Sequence, residues 1–199
     1  SSNIGSVKIG QIIGQEKLQT FLKKIGILSQ LDFDIEETGK PLPFKWRDCK
    51  LETVSYGHGV TTTPIQLAKG YAILANGGYD VKPTLIKEKI YNSQKKRILN
   101  KDVSNKINRM LRKVVTQGTA TLSDVEGYEV GGKTGTAQIV ENGAYTNKKI
   151  NTFASIFPSS NPKYVLIILL EDTKLSKDYI YEYRNKTGSY KGTPFNTAG

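Results

Sequence analysis

Apolar residues recur at helical spacing in four stretches before residue 120, and they predict helices over residues 3–13, 18–25, 61–78 and 103–116. The third has the clearest signals, because Thr63 suits the N-cap, Pro64 the first turn and Gln66 a capping box. Its predicted apolar face consists of Ile65, Ala68, Ala72 and Ala75. Residues 30–50 are expected to form a polar, proline-containing loop.

Beyond residue 120, alternation of apolar and polar positions predicts three strands, over about 128–140, 151–158 and 163–171. The turns between them contain Asn142-Gly143 and Asn161-Pro162, which favour an antiparallel meander. The last strand is apolar on both faces, a pattern typical of a central strand that is covered on both sides. The sequence after Asp172 is polar and loop-like, so no flanking strand is predicted and the fold is expected to be truncated.

Composition narrows the possible functions. A chain of 199 residues with 37% hydrophobic content is expected to fold around a core. With only Cys49 and His58, it has no internal disulfide, and a cysteine-cluster or histidine-rich metal site and a Ser-His-Asp triad are not expected. No cofactor or metal is therefore predicted. The sequence shows no signal peptide and no run of the about 18 apolar residues that span a bilayer, so we expect either a cytoplasmic protein or a piece of a longer chain.

The net charge of +11 favours anionic partners. The basic residues are scattered, however, and no aromatic-interleaved basic motif of a nucleic-acid-binding module occurs. Most of these side chains are expected to be solvated surface, and no nucleic acid is predicted as a partner.

The stretch from Gly131 to Gln138 has a composition that is unusual for a strand. It combines Lys133, Thr134 and Thr136 with three glycines. Glycine weakens a strand interior, and close approach of a ligand backbone is one reason to place it there. Lysine and threonine side chains beside such a groove can hold an anion. The alternative is an edge strand with a solvated lysine.

Two short motifs give this stretch a context: Ser1-Ser2-Asn3, an S-x-N sequence, and Lys133-Thr134-Gly135, a K-T-G sequence. Further matching segments follow in order, namely Ser55-Tyr56-Gly57-His58-Gly59, Thr63-Pro64-Ile65-Gln66-Leu67-Ala68, Tyr71-Ala72, Ala75-Asn76-Gly77-Gly78 and Gly118-Thr119-Ala120. Over essentially all 199 residues the sequence resembles the transpeptidase domain of class B penicillin-binding proteins, most closely the septal, cell-division type.

The resemblance implies an α+β, penicillin-recognising serine transpeptidase fold, with an antiparallel sheet flanked by helices and an all-α subdomain, truncated at both ends. Residues 1–80 would form a mainly helical part with the S-x-N motif. Residues 81–199 would add a helix, the K-T-G strand and the antiparallel meander.

The resemblance also implies roles for the strand residues in acyl transfer. Thr134 and Thr136 would bind the terminal carboxylate of a peptide ending in D-Ala-D-Ala, and the Thr136 N–H would form half of the oxyanion hole. Lys133 would supply positive charge. Gly132 and Gly135 would let the substrate lie along the strand as an added β-strand.

The S-x-N residues receive their roles from the same resemblance. The Ser1 hydroxyl would accept a hydrogen bond from Lys133 and relay a proton towards the leaving group, so the catalytic residues are Ser1 and Lys133. Asn3 would hold the substrate amide.

The implied partners are the peptidoglycan stem peptide, β-lactams and, through the full-length parent, membrane proteins of cell division. The resemblance places that parent on the outer, periplasmic side of the bacterial cytoplasmic membrane, anchored by an N-terminal helix not present here.

The acylating serine of the family is expected to be missing. Two S-x-x-K matches, Ser93–Lys96 and Ser160–Lys163, both lie in polar, turn-like sequence, and nothing lies upstream of Ser1. A second Lys-Thr-Gly, at 186–188, is expected to be loop. We therefore expect a chain that is inactive alone. The alternatives are a non-catalytic module that binds peptidoglycan fragments or a partner, a basic nucleic-acid-binding protein, and a split protein whose N-terminal part is a separate chain.

Overall fold

The computed structural model describes residues 2–35, 46, 50–87, 96–141, 144–173, 181–185 and 188–192. Helices in these ranges are α1 (Asn3–Ile13), α2 (Gln15–Lys24), α3 (Lys50–Ser55), α4 (Pro64–Ala75) and α5 (Lys101–Gln117), with a 3₁₀ turn at Thr121–Ser123. Strands are β1 (Gly131–Glu141), β2 (Ala144–Phe157), β3 (Tyr164–Glu171), β4 (Tyr181–Asn185) and β5 (Gly188–Gly192). The chain is an α+β protein, as the sequence predicts.

The four predicted helices are confirmed. The capping box of α4 is complete, because the Thr63 hydroxyl accepts from the Gln66 N–H and the Gln66 side chain accepts from the Thr63 N–H. Helix α1 packs closely against α3, since a Cβ on Gly10 would lie 1.9 Å from Ser55 Oγ. Helix α3 falls at the end of the predicted 30–50 loop and continues beyond it, and it was not predicted.

The buried face of α4 differs from the predicted one. Its buried residues are Gln66, Gly70, Ile73 and Ala75, so of the predicted face only Ala75 is buried. Ile73 packs with Ile25 and Ile27 in the core of the helical part. Gln66 is 1% exposed and donates to carbonyl groups of the turn that follows α2, and this turn determines which side of α4 faces inwards.

Strands β1, β2 and β3 form an antiparallel sheet in that order, and the predicted meander is confirmed. The strands β1 and β2 begin at residues other than the predicted ones. A turn closed by the Tyr128 N–H on the Val125 carbonyl, followed by positive φ at Glu129, delays β1 to Gly131. Strand β2 begins at Ala144, well before the predicted residue 151, because it pairs with the far end of β1.

Strand β3 pairs with β2 and with no other strand in the part of the chain that the structure describes. The prediction of a central, fully covered strand is therefore not met there. Leu166, Ile168 and Leu170 are 45%, 42% and 53% exposed. The prediction that the sequence after Asp172 is loop-like is wrong, since β4 and β5 form a separate antiparallel hairpin, although neither of them pairs with β3. In the second Lys-Thr-Gly, Lys186 and Thr187 lie outside the described residues and Gly188 begins β5.

Helix α5 packs against the sheet and sets the start of β1. Leu111 joins a buried cluster with Ile156 of β2 and Ala75 of α4, and Val115 joins one with Val130. The contact is tight, because a Cβ on Gly131 would lie 3.1 Å from the Arg112 backbone nitrogen. The helix therefore holds the strand that carries the candidate site.

Candidate active site

Strand β1 lies at the edge of the sheet. It pairs with β2 on one side, and no other strand of the described ranges pairs with its second side. An edge of this kind presents backbone N–H and C=O groups that a further extended segment can pair with. Side chains alternate along a strand, so Thr134 and Thr136 share one face and Lys133 and Gly135 the other. The exposed residues begin at Gly135, immediately after the half-buried Lys133 and Thr134.

Lys133 is not a freely solvated surface lysine. Its side chain is half-buried, and its Nζ donates to the Thr134 carbonyl at 2.7 Å. Burial lowers the pKa of its ammonium group below the ordinary value, because desolvation disfavours the charged form. A partly desolvated cation interacts more strongly with an anion than a solvated one does, since water screens it less.

Each threonine hydroxyl of the strand has a partner in the protein. Thr134 Oγ1 lies 2.9 Å from Thr119 Oγ1, in the connection between α5 and β1. Thr136 Oγ1 donates to Asn151 Oδ1 at 3.1 Å, across the β1–β2 pair. The amide of Asn151 in turn donates to Thr173 Oγ1 at 3.0 Å. The sequence assigned no site role to Thr119 or Asn151, although Thr119 stands in a matched Gly-Thr-Ala segment.

The glycines of the strand have different surroundings. A Cβ on Gly132 would lie 2.6 Å from Phe153 Cζ, a ring atom of β2. Packing against Phe153 is therefore one reason why position 132 has no side chain. A Cβ on Gly135 would have its nearest neighbour, the Thr152 carbonyl oxygen, at 3.9 Å. Gly135 therefore has open space on its Cβ side.

Comparison with known proteins assigns this arrangement to a family. Residues 1–195 match the family described as "Penicillin binding protein transpeptidase domain". The chain belongs to this family. The transpeptidase domain is 33% identical to stage V sporulation protein D of Bacillus subtilis, over 87% of the chain and 29% of that protein. It is 31% identical to a peptidoglycan D,D-transpeptidase FtsI homolog of Mesostigma viride, over 88% of this chain and 34% of that protein.

Solved structures of penicillin-binding proteins resemble this chain. The transpeptidase domain aligns with penicillin-binding protein 3 of Mycobacterium tuberculosis in complex with aztreonam, at a TM-score of 0.79 and 28% identity, over 86% of this chain and 43% of that one. The transpeptidase domain of penicillin-binding protein 3 from Burkholderia pseudomallei gives the same TM-score, over 86% of this chain and 54% of that one. The chain spans about a third of the length of the curated relatives. No helix within the described ranges is long and apolar enough to cross a membrane.

The S-x-N motif of the transpeptidase domain is only partly described. Ser1 lies outside the described residues, and the Ser2 hydroxyl caps α1 by accepting from the Gly5 N–H at 3.1 Å. Asn3 is the exposed first residue of α1, which packs against α2 and α3. No hydrogen bond joins Asn3 to β1 within the described residues, so the structure brings Lys133, Thr134, Gly135 and Thr136 together on one strand but does not connect Asn3 to them.

Neither S-x-x-K match of the transpeptidase domain is seen on a helix. Ser160 lies in the turn between β2 and β3, where its hydroxyl donates to a Glu129 carboxylate oxygen. In the other match, Lys96 is described and lies in no helix, while Ser93 lies outside the described residues. The turn position of Ser160 agrees with the sequence prediction.

Proposed function

We propose that this chain forms the substrate-binding wall of a peptidoglycan D,D-transpeptidase. The observation that carries the proposal is the edge of β1, which pairs with no second strand of the described ranges, in a chain of the transpeptidase family. This edge has the Thr134 and Thr136 hydroxyls on one face and the partly desolvated Lys133 on the other. A stem peptide ending in D-Ala-D-Ala would add to this edge as an extended strand.

The chemistry of these groups fits such a peptide. A peptide carboxylate accepts hydrogen bonds only, and two threonine hydroxyls on the same face of a strand can both donate to it. Lys133 contributes a positive field at the strand edge, where partial burial reduces screening. Gly135, open on its Cβ side, lets the peptide backbone approach.

In the proposed reaction, a serine hydroxyl attacks the carbonyl carbon of the penultimate D-Ala. The peptide bond to the terminal D-Ala breaks, and that D-Ala leaves as an amine after gaining a proton. An amine of a second stem peptide then attacks the acyl-serine, forms the cross-link and releases the serine. The Thr136 N–H would hold the oxyanion in both steps. The Ser1 hydroxyl, hydrogen-bonded by Lys133, would relay the proton of the attacking serine towards the leaving amine, and Asn3 would hold the substrate amide. A β-lactam would acylate the same serine.

We further propose that the attacking serine is not among these 199 residues, so that the chain alone binds peptide but is not acylated. The position of Ser160 in a turn, bonded to Glu129, supports this. We also propose that the whole protein is anchored at the outer side of the cytoplasmic membrane and contacts membrane proteins of cell division, as the resemblance to septal penicillin-binding proteins implies.

The binding step is tested by titrating the ¹⁵N-labelled chain with an N-acetylated peptide ending in D-Ala-D-Ala. We expect saturable shifts at β1 that weaken in Thr134→Val and Thr136→Val. Thr116→Val is the control, because Thr116 is an exposed hydroxyl on α5 that bonds only the Arg112 carbonyl within the described residues. Equal binding by all the variants would contradict the proposal.

The second test adds a fluorescent penicillin and measures intact mass. No covalent adduct is expected on the chain alone, and stoichiometric labelling would overturn the absence of a nucleophile. Co-expression with an upstream S-x-x-K segment should restore labelling. A chain that binds peptide, loses binding with Lys133→Ala and never becomes labelled with any such segment would instead be the non-catalytic binding module.

A further inference from the structure

The connection between α5 and β1 places a third hydroxyl beside the proposed carboxylate site. Thr119 Oγ1 lies 2.9 Å from Thr134 Oγ1, and the Thr119 side chain is exposed at the surface. Thr119 and Thr134 are separated by a turn-rich connection, so this contact exists only in the folded chain. No other hydrogen bond to the Thr119 hydroxyl occurs within the described residues.

The backbone holds Thr119 in place from both sides. Gly118 ends α5, with its N–H donating to the Val114 carbonyl at 3.1 Å, and the Ala120 N–H donates to the same carbonyl at 3.2 Å. Ala120 is buried with Val115 and Val130. These bonds hold the Thr119 backbone on both sides, and the contact with Thr134 holds its hydroxyl.

An ion pair fixes the rest of the connection. Arg112 Nη1 lies 2.7 Å from Asp124 Oδ1, and Nη2 lies 3.3 Å from Oδ2. The same Nη1 donates to the Val130 carbonyl at 2.8 Å, just before β1. A two-pronged contact of this kind restrains geometry as well as adding attraction. The connection is therefore held at α5, at its middle and at the start of β1.

The number of protons on the two hydroxyls determines the direction of the Thr119–Thr134 hydrogen bond. Each hydroxyl has one proton to donate and can accept as well. Without a ligand, either threonine can be the donor. A carboxylate accepts only, so a Thr134 hydroxyl that donates to it can no longer donate to Thr119. Thr119 must then donate to Thr134, and the chain of bonds runs from Thr119 through Thr134 to the carboxylate.

We propose that Thr119 is a positioning residue that acts through Thr134: it orients the Thr134 hydroxyl as a donor towards a carboxylate-terminated substrate. The inference rests on the proposed function, because it requires the peptide carboxylate to bind at Thr134. Donation from Thr119 polarises the Thr134 hydroxyl and strengthens its own donation. The contact therefore favours an acceptor-only terminus over a neutral amide terminus.

The test uses two N-acetylated peptides that differ only at the C-terminus, one ending in D-Ala-D-Ala carboxylate and the other in its carboxamide. Affinities are measured for the chain and for Thr119→Val, Thr119→Ser, Thr134→Val and the Thr119→Val/Thr134→Val double variant. Valine keeps the shape and removes the hydroxyl, whereas serine keeps the hydroxyl. Unfolding midpoints are measured for every variant.

We expect Thr119→Val to weaken carboxylate binding by roughly fivefold, the size of one ordinary hydrogen bond, with little effect on the carboxamide. Thr119→Ser should retain most of the affinity. The double variant should bind no more weakly than Thr134→Val, because Thr119 acts only through Thr134.

Three results would overturn the inference. If Thr119→Val binds the carboxylate peptide with unchanged affinity and Thr134→Val binds it more weakly, Thr119 does not orient Thr134. The proposed function would still hold in that case. Equal losses in Thr119→Val and Thr119→Ser with lowered midpoints would show a structural role only. If the chain binds neither peptide, or Thr134→Val has no effect, the proposed site itself is wrong and the inference fails with it.

Discussion

The Gln66 side-chain amide donates to the Ser29 carbonyl at 2.6 Å, joining the first turn of α4 to the turn that follows α2. The same side chain accepts from the Thr63 N–H at 2.9 Å and is 1% exposed. One glutamine therefore caps a helix and hydrogen-bonds a carbonyl of a distant segment.

Replacing this glutamine should lower the free energy of unfolding. In Gln66→Leu the Thr63 N–H and the Ser29 carbonyl lose their partner, and we expect a loss of about 3 kcal/mol. Urea denaturation followed by circular dichroism measures it. Gln15→Ala, at the exposed start of α2, is the control and should change stability by less than about 0.5 kcal/mol. Similar losses in the two variants would contradict the assigned role.

Two glycines of β1 should respond differently to alanine. In Gly132→Ala the new methyl group meets the Phe153 ring at 2.6 Å and the Ala154 carbonyl oxygen at 2.9 Å, so we expect a loss of about 1–3 kcal/mol in stability. Gly135→Ala meets nothing closer than 3.9 Å and should leave stability within about 1 kcal/mol. It should nevertheless weaken peptide binding, because its methyl group points into the open side of the strand.

Those two glycine variants are compared by thermal unfolding and by the same peptide titration. If Gly135→Ala binds peptide as the unaltered chain does, the substrate does not approach that face of β1. If Gly132→Ala is as stable as the unaltered chain, the Phe153 ring has moved away without cost.

The pH dependence of peptide binding should follow the loss of the proton from the Lys133 ammonium group. Burial lowers the pKa of Lys133 below its ordinary value of 10.5, so the ammonium group loses its proton earlier than a solvated lysine does. Affinity for the carboxylate peptide should therefore be constant near neutral pH and fall with a midpoint below 10.5. Lys133→Arg, which keeps its charge up to about pH 12, should remove this fall. A midpoint that is the same in both proteins would exclude Lys133 as its origin.

The free energy of unfolding at alkaline pH should depend on the ionisation of Tyr71. Burial raises the pKa of Tyr71 to about 12, because desolvation disfavours the phenolate. The unfolded chain loses this proton near pH 10 and the folded chain does not, so the stabilisation present below pH 10 is lost as the pH rises towards 12. A two-unit shift corresponds to roughly 3 kcal/mol.

Tyr71→Phe should therefore lose less stability between pH 10 and 12 than the unaltered chain does, as measured by urea denaturation at each pH. Tyr164→Phe, which changes an exposed tyrosine of β3, serves as the control. An identical alkaline loss in the Tyr71 and Tyr164 variants would show that the burial of Tyr71 has no such effect.

No strand of the described ranges pairs with the second edge of β3, and its leucines are exposed. We expect this edge to make the isolated chain self-associate, because an exposed apolar edge strand can pair with another chain. Leu170→Lys should raise the monomer fraction in size-exclusion chromatography with light scattering. Leu122→Lys removes a more exposed leucine, 98% against 53%, from a 3₁₀ turn and should have a smaller effect. The reverse order would place self-association elsewhere on the surface.

Local pattern predicted most of the elements. The capping residues of α4, the glycine that ends α5 and the three-strand meander follow from short-range signals, since caps and side-chain alternation depend on residues only a few positions apart. The same signals missed α3 and the β4–β5 hairpin, where short polar segments carry little periodicity.

The sequence by itself determined the family, the K-T-G strand and the residue types that can hold a carboxylate. Tertiary structure decided what surrounds each of those residues. Phe153 packs on Gly132 while Gly135 stays open, and Thr119 reaches Thr134 only because α5 and its connection are anchored beside β1. The physical reason is that contacts between elements depend on packing across the whole sheet, whereas motifs and periodicity record only what each element can form alone.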